Sequence, residues 1–306
     1  MTEEAVEERA AWQAGVEGVT GVEVTVVLPT RNGAGTIRRQ LDALSRQEWA
    51  GSWEVVVSDN GSTDCTVATV RDYFGRLPAL KIVNSSDRLG ATHARNVGVA
   101  AARGWSVVFC DDDDAVAPGW LAAFGNALRE HELVAGTLEM TKLNTSWTRD
   151  PQQPDGIRQV DPPFLPYAFS AVLGIRRSLH LAIGGFNEEF VGGAEDVDYC
   201  FRAQLRGADL YYAAEAVVHY QIRSSLGAIY RQARSYSRGD VLLYTRYRPL
   251  GMRWQSPRRA AKFWALCWAR LLPALASREA LAIWLWHLGR RVGYLQGSVR
   301  HRVLAL

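Results

Sequence analysis

Cysteine is scarce in this chain of 306 residues: Cys65, Cys110, Cys200 and Cys267 are scattered, with no metal-type spacing. That pattern excludes a disulfide scaffold and a thiolate metal centre, and it suits a reducing cytosol. Long apolar runs are missing too. Arg270, Pro273, Arg278 and Glu279 interrupt the apolar stretches of the C-terminal part, so none reaches the roughly 20 residues that span a bilayer. Met1 to Ala11 carries Glu3, Glu4, Glu7 and Glu8 but no basic or apolar signal pattern, so residues 1–20 are expected to be an acidic surface segment, not a secretory signal. Two phosphate-binding loops are also lacking. The turn after the first apolar run has glycines only at Gly33 and Gly35, which is not G-x-G-x-x-G, and Gly-Lys-Ser or Gly-Lys-Thr is absent. Without such a cradle, a bound pyrophosphate needs a cation to carry its charge.

Acids are rare in the last part of the chain. From Arg223 onward, sixteen Lys plus Arg face two acids, Asp240 and Glu279, whereas the first 222 residues hold 19 basic and 30 acidic side chains. An acidic body (residues 21–222) with a basic tail (223–306) suggests two jobs. Trp254, Trp264, Trp268, Trp284 and Trp286 lie among the tail's Arg and Lys residues. Such helices suit a membrane interface, or pack onto the body with their cations solvated. Nucleic acid is not expected as a partner, because no recognised motif accompanies the charge.

What is present is an alternation of short apolar runs and helical periodicity. Val22 to Leu28, Val55 to Val57, Leu80 to Val83 and Val107 to Cys110 read as buried strands. Helices are expected over 36–46, 63–74, 90–102 and 119–131. This predicts an α/β fold of βαβ units, a mostly parallel sheet whose loops open on one edge. After Met140 the alternation fails. Lys142 to Pro166 reads as a polar loop, Tyr167 to Ile175 as a strand, Glu195 to Arg206 as a helix and Tyr211 to Tyr220 as extended, and the tail reads as helical.

The fourth strand ends in Asp111-Asp112-Asp113-Asp114. Four carboxylates at one strand tip repel one another unless a cation sits among them, and Mg²⁺ characteristically bridges carboxylates to phosphates. The plainer reading is a solvated acidic turn. The first two strands end in Pro29-Thr30-Arg31-Asn32 and in Ser58 to Asp64, where nucleotides bind above a parallel sheet. Asp59 suits a base N–H or a ribose hydroxyl, and Asn32 both donates and accepts; capping by Ser62 or Asp64 explains that loop only in part. Gly90 opens the third helix, where Arg95 is placed to neutralise a diphosphate, or else is an exposed helix Arg. A glycine-bearing segment, Gly184 to Asp198, delivers Glu195 and Asp196 to a helix N-terminus, where one carboxylate can serve as a base or simply cap the helix. His219 ends a short apolar run and is a candidate metal ligand.

In this order the motifs resemble those of the family 2 glycosyltransferases, inverting enzymes of the GT-A fold, over about Val22 to Tyr220. The likeness runs through Pro29 to Asn32, Asp59 to Asp64, Arg95-Asn96 with Gly98, Asp111 with Asp113, Gly184 to Glu188, and Glu195 to Asp198. The resemblance implies a nucleotide-sugar donor (UDP-, dTDP- or GDP-linked), a hydroxyl acceptor and Mg²⁺ or Mn²⁺. Pro29, Thr30, Asn32, Asp59, Gly90, Arg95, Asp111 and Asp112 would meet the nucleotide. Asp113, with Asp111 and His219, would hold the metal. Asp196 would be the base, with Glu195 and Gly185 positioning substrate. Processive members carry Q-x-x-R-W; here Arg253-Trp254 has Leu250 at the Gln position, so addition of one or a few sugars is expected. A cytoplasmic protein, peripheral on the inner face of the membrane, with a cell-envelope or glycoconjugate acceptor, fits the tail.

Competing readings fit less well. A sugar nucleotidyltransferase would show a glycine-rich loop with Arg and Lys at Pro29 to Thr36. A haloacid-dehalogenase-type phosphatase would place its acids after the first strand. A catalytically inactive sugar-nucleotide-binding or scaffold protein would have no need of both Asp113 and Asp196.

Overall fold

A computed structural model describes residues 21–144 and 156–305. The acidic segment 1–20 and the middle of the polar stretch, 145–155, lie outside the described residues. The fold grows from β1 (Val24–Thr30), buried along its whole length. Its side chains alternate between two cores, Val24, Val26 and Leu28 on one face and Val27 on the other, as expected of a strand covered by helices on both sides. β2 (Trp53–Asp59), β3 (Lys81–Asn84) and β4 (Ser106–Phe109) complete a parallel unit with β1 at its centre. α1 (Ile37–Leu44), α2 (Thr66–Arg71), α3 (Ala91–Ala100) and α4 (Trp120–Glu130) follow the strands as the periodicity predicts. Ile37, Leu41 and Leu44 share the buried side of α1.

With β5 (Ala115–Val116), β6 (Leu133–Glu139), β9 (Leu173–Arg176) and β10 (Leu210–His219), the eight-stranded sheet runs β3-β2-β1-β4-β9-β6-β10-β5. β6 and β10 are parallel to each other, but β9 lies antiparallel between β4 and β6. No crossover helix precedes β9, so nothing forces the parallel sense there. The expected strand over Tyr167 to Ile175 is split. Residues Pro166–Tyr167 form β8, paired with β7 (Arg158–Gln159), and a helical turn at Ser170–Val172 precedes β9. β5 pairs antiparallel with the end of β10; two residues are too few to show a period. α5 (Arg177–Ala182) is a short helix that periodicity did not reveal, and α6 (Glu195–Leu205) matches the expected helix.

The tail folds into α7 (Leu226–Tyr247), α8 (Pro257–Ala269), α9 (Leu271–Ala274) and α10 (Arg278–His301). Ser225, Ser256 and Ser277 cap α7, α8 and α10 through their hydroxyls. α10 lies along α7 in the same direction because Gly289, Gly293 and Gly297 present no side chain: Gly289 rests on Tyr230 and Ala233, Gly293 on Arg234 and Ser237, Gly297 on Val241. A half-buried Asp240–Arg290 ion pair at 3.1 Å crosses the same contact. Among the described residues no helix is long and apolar enough to cross a membrane.

A Cβ at Gly293 would stand 2.8 Å from the Cβ of Ser237 and overlap the Arg234 carbonyl. Gly293→Val is therefore expected to cost about 1–3 kcal/mol by overpacking. Gly35→Ala, whose Cβ meets nothing within 4 Å, should stay within about 0.5 kcal/mol. Urea midpoints at unchanged m-value check the contrast.

Candidate active site

Around β1 the strand order reverses, β2 and β3 lying on one side and β4 on the other. In such sheets a crevice opens beyond the carboxyl ends of the strands at this point. Thr30 lies opposite Asp59 in the β1–β2 register, so the first two loops emerge side by side. Pro29 is an internal residue of β1, not its end as the sequence suggested. Its missing N–H faces β4, whose ladder with β1 has already stopped at Val27 and Phe109.

Thr30 Oγ1 donates to Asp112 Oδ2 at 2.5 Å. Asn32, in the left-handed region at φ 54°, accepts from Thr63 N at 2.8 Å and gives its own N–H to Ser62 Oγ at 2.9 Å. Asp59 accepts from Ser62 N at 3.2 Å. Asp64, not Ser62, bonds the first helical N–H, that of Thr66 at 3.0 Å. Asn60 does more than the sequence suggested. Its side chain accepts from Gly90 N at 2.7 Å and donates to Arg88 O at 2.9 Å, pinning the second loop to the start of α3.

Arg95 is not an exposed helix residue. It is 3% exposed, and its Nη2 donates to Asp111 Oδ1 at 2.6 Å. Its Nε and Nη1 are buried with no hydrogen-bond partner, and the charges of Glu195 and Asp196 act on it together with that of Asp111. Its neighbour Asn96 clamps the glycine segment, donating to Phe186 O at 2.9 Å and accepting from Phe186 N at 2.8 Å. Gly185, at φ 69°, lies so close that a Cβ would stand 2.7 Å from Asn96 Oδ1, so backbone packing accounts for this glycine.

Helix α6 begins directly with the two acids, after Ala194 in the left-handed region at φ 65°. Ala194 occupies the cap position, so capping does not explain Asp196. Its Oδ1 accepts from Val197 N at 2.8 Å. Burial, then the neighbouring Glu195 charge, pushes Asp196 up to about 7, against the pull of the Val197 N–H and Arg95. Burial thus poises this candidate base so that it changes protonation near pH 7. Glu195 is also raised by burial, and its Oε2 is buried without a partner. Asp198 is paired with Arg202 at 2.7 Å and accepts from Tyr247 Oη at 2.9 Å.

The strand-end acids fan apart. Asp111 turns to Arg95, Asp112 to Thr30, and Asp113 to Arg223 at 3.8 Å. Asp114 is fully buried and accepts from Gln221 N at 2.8 Å, its Oδ2 unpartnered. Burial, then mutual repulsion, lifts Asp112 to about 6 and raises Asp113 and Asp114. His219 is brought alongside by the β5–β10 pair, opposite Ala115. Its Nδ1 lies 2.9 Å from Glu139 Oε2 and its Nε2 3.0 Å from Lys142 Nζ. The tautomer with hydrogen on Nδ1 satisfies both contacts. Among the described residues, no three His, Cys, Asp or Glu side chains converge as a metal cage.

The tail supplies a wall that the motifs did not announce. Gly193 lies against the backbone of Tyr236, its would-be Cβ 2.6 Å from the Tyr236 Cα, and Gly239 meets Gly193 O. The Tyr236 hydroxyl accepts from Gln232 Nε2 at 2.8 Å. Burial, then Glu195 and Asp196, raises this phenol. Tyr220 is raised first by Tyr236, then by burial and the strand-end acids. Small residues spaced four apart in α10 were the available signal that α7 and α10 pack together.

Arg95→Met should cost about 3–5 kcal/mol, because it leaves buried carboxylates unpaired. Adding Glu195→Gln should recover part of that loss. Denaturant unfolding of the two variants checks the pairing.

Residues 25–186 match the family model described as Glycosyl transferase family 2, and residues 161–296 that described as Glycosyl transferase family group 2. A pre-mycofactocin glycosyltransferase of Mycobacterium tuberculosis is 32% identical over 222 residues, 67% of this chain and 44% of that protein. A validoxylamine A glucosyltransferase of Streptomyces hygroscopicus is 28% identical over 233 residues, 63% of this chain and 54% of its own. The chain thus spans about half the length of these two relatives. A mannosyltransferase from Pyrobaculum calidifontis, solved with GDP-Man and Mn²⁺, superposes with a TM-score of 0.61 at 20% identity, covering 97% of this chain and 93% of that one. S. aureus TarS 1-349 with UDP-GlcNAc gives 0.55 at 18% identity, covering 92% and 93%. These likenesses show the fold, which is GT-A.

Proposed function

The chain belongs to glycosyl transferase family 2, and from that premise we propose that it moves a sugar from a nucleotide-sugar donor to an acceptor hydroxyl with inversion. The observation that best supports this is the buried Arg95. It bonds Asp111 at the strand ends and feels Glu195 and Asp196 at the start of α6, so that donor-side acids and a near-neutral carboxylate share one crevice. In the proposed step Asp196 takes the acceptor proton and the freed oxygen attacks the anomeric carbon. The bond from that carbon to the diphosphate breaks on the opposite face. One displacement inverts the centre, and no second carboxylate nucleophile is needed.

In their chemistry, though not as a preformed cage, the strand-end carboxylates suit a hard divalent cation. Asp113 is raised by burial and by Asp111, and one oxygen of the neighbouring residue Asp114 is buried without a partner. Asp113 with Asp111 or Asp112 would hold Mg²⁺ or Mn²⁺, and His219 joins only where Lys142 yields the Nε2 lone pair. Such an ion supplies charge stabilisation for a departing diphosphate. Thr30 fixes Asp112, and Asn60 fixes the loop beside Asp59. The absent Q-x-x-R-W supports addition of one or a few sugars. The basic tail supports a peripheral place on the inner face of the membrane and a cell-envelope or glycoconjugate acceptor.

Two measurements test the reading. Asp196→Asn is expected to keep donor binding and lose transfer by a factor of roughly 10² or more. In the native chain kcat should fall as pH drops through about 7, because the base is competent only when deprotonated. Equal turnover by the variant, or a flat profile from pH 5 to 8, removes Asp196 from this role. In a panel of UDP-, dTDP- and GDP-sugars with Mn²⁺, at least one should raise the melting temperature, and Asp113→Ala should abolish that rise. No shift with any donor counts against a nucleotide-sugar site.

A further inference from the structure

We propose that the end of the α8–α9–α10 hairpin docks in the headgroup layer of an anionic lipid membrane, with Trp268, Leu272, Leu275 and Ile283 inserted among the acyl chains. Five of the sixteen exposed large apolar side chains among the described residues fall between 266 and 283: Leu266, Trp268, Leu272, Leu275 and Ile283. Leu272 is 78% exposed, Leu275 65% and Trp268 60%, whereas apolar residues deeper in the tail, such as Ala282 and Cys267, are buried. The Trp284 indole donates to Cys267 O at 2.8 Å, which ties the first turns of α10 to the end of α8 and so brings the exposed residues of both helices to one end of the hairpin. An exposed apolar surface of this kind marks an interaction site.

Charge selects the occupant. Residues 257–283 carry Arg258, Arg259, Lys262, Arg270 and Arg278 against one acid, Glu279. Apolar anchors with Trp, rimmed by cations, match the boundary between acyl chains and anionic headgroups. A second copy of the chain meets this surface less well, since a two-fold contact sets like cations against like. No helix needs to cross the bilayer for this mode of binding, and among the described residues none is able to.

Placement links the surface to the crevice. α10 runs parallel to α7, with Gly289 against Tyr230 and Gly293 against Arg234, so Ile283 projects beyond the start of α7. Tyr236, in the wall of the crevice, is about 18 Å farther along the axis than Ile283 at 1.5 Å per residue. Arg223, the partner of Asp113, lies just before α7. Docking would thus hold the crevice close above the headgroups, where an acceptor borne by a lipid is presented. This deepens the peripheral placement proposed above and is independent of the transfer chemistry, because membrane binding reads no turnover.

The test is sedimentation of the full chain with vesicles of phosphatidylcholine alone or mixed one-to-one with phosphatidylglycerol. Binding should favour the anionic vesicles, weaken with added salt and shift Trp emission to the blue. Trp268→Ala with Leu272→Ser and Leu275→Ser should lower the partition coefficient about tenfold or more. Lys262→Gln with Arg270→Gln should lower the preference for anionic vesicles about tenfold. All five positions are exposed, and an unchanged melting temperature confirms that each variant folds. The proposal is overturned by equal binding to both vesicle types, by an unchanged partition of the apolar variant, or by self-association that this variant abolishes.

Discussion

A single buried guanidinium joins the two halves of this crevice. Arg95 binds Asp111 at the end of β4 and lies within the electrostatic reach of Glu195 and Asp196, which arrive from a helix some hundred residues later. Glu195 and Asp196, buried side by side, repel each other and drift toward neutrality; one cation beside them limits both effects. Conversely, a buried arginine without acids is costly. Because Asn96, the next residue, clamps the backbone of Phe186, the same turn of α3 fixes the charge and the loop that leads to α6. Buried ion pairs are weak evidence for stability, so this arrangement makes most sense as a means of setting where the acids stand and how readily they hold a proton.

The tail is tied to the same crevice. Gly193 rests on the backbone of Tyr236, and Tyr247 bonds Asp198 in the first turn of α6. α10 is in turn seated on α7 through three glycines, with the Asp240–Arg290 pair across the contact. A disturbance at the far side of α10 is therefore two helices from the loop that presents Asp196. Packing onto the body and association with a surface are compatible, since the glycine stripe uses one side of α10 and its first turns expose another.

Much of the body was legible because the local rules agree. Continuous β-branched runs at Val24 to Val27 and Val55 to Val57, each followed by a helical period, leave little choice but buried strands with crossovers. Their polar ends must then gather on one edge, which by itself brings Thr30, Asp59 and Asp111 together. β9 was harder. Its four residues carry no sign of direction, and strand sense is decided by which edges of β4 and β6 remain open. Asn60 and Tyr236 gave no local signal for their roles, because Asn60 bonds Gly90 and Arg88 and Tyr236 faces acids of another segment.

Periodicity, strand-end acids and the lack of a glycine cradle determined an α/β sheet whose functional edge carries carboxylates in need of positive charge. Those features are local, and sequence spacing encodes them directly. Which cation answers each acid was decided only by the tertiary structure. It set Arg95 on Asp111, Arg223 on Asp113 and Lys142 against His219. It also raised Asp196 by burying it beside Glu195. Coulombic and desolvation effects depend on distance through space and on exclusion of water, and neither quantity exists until the chain has folded.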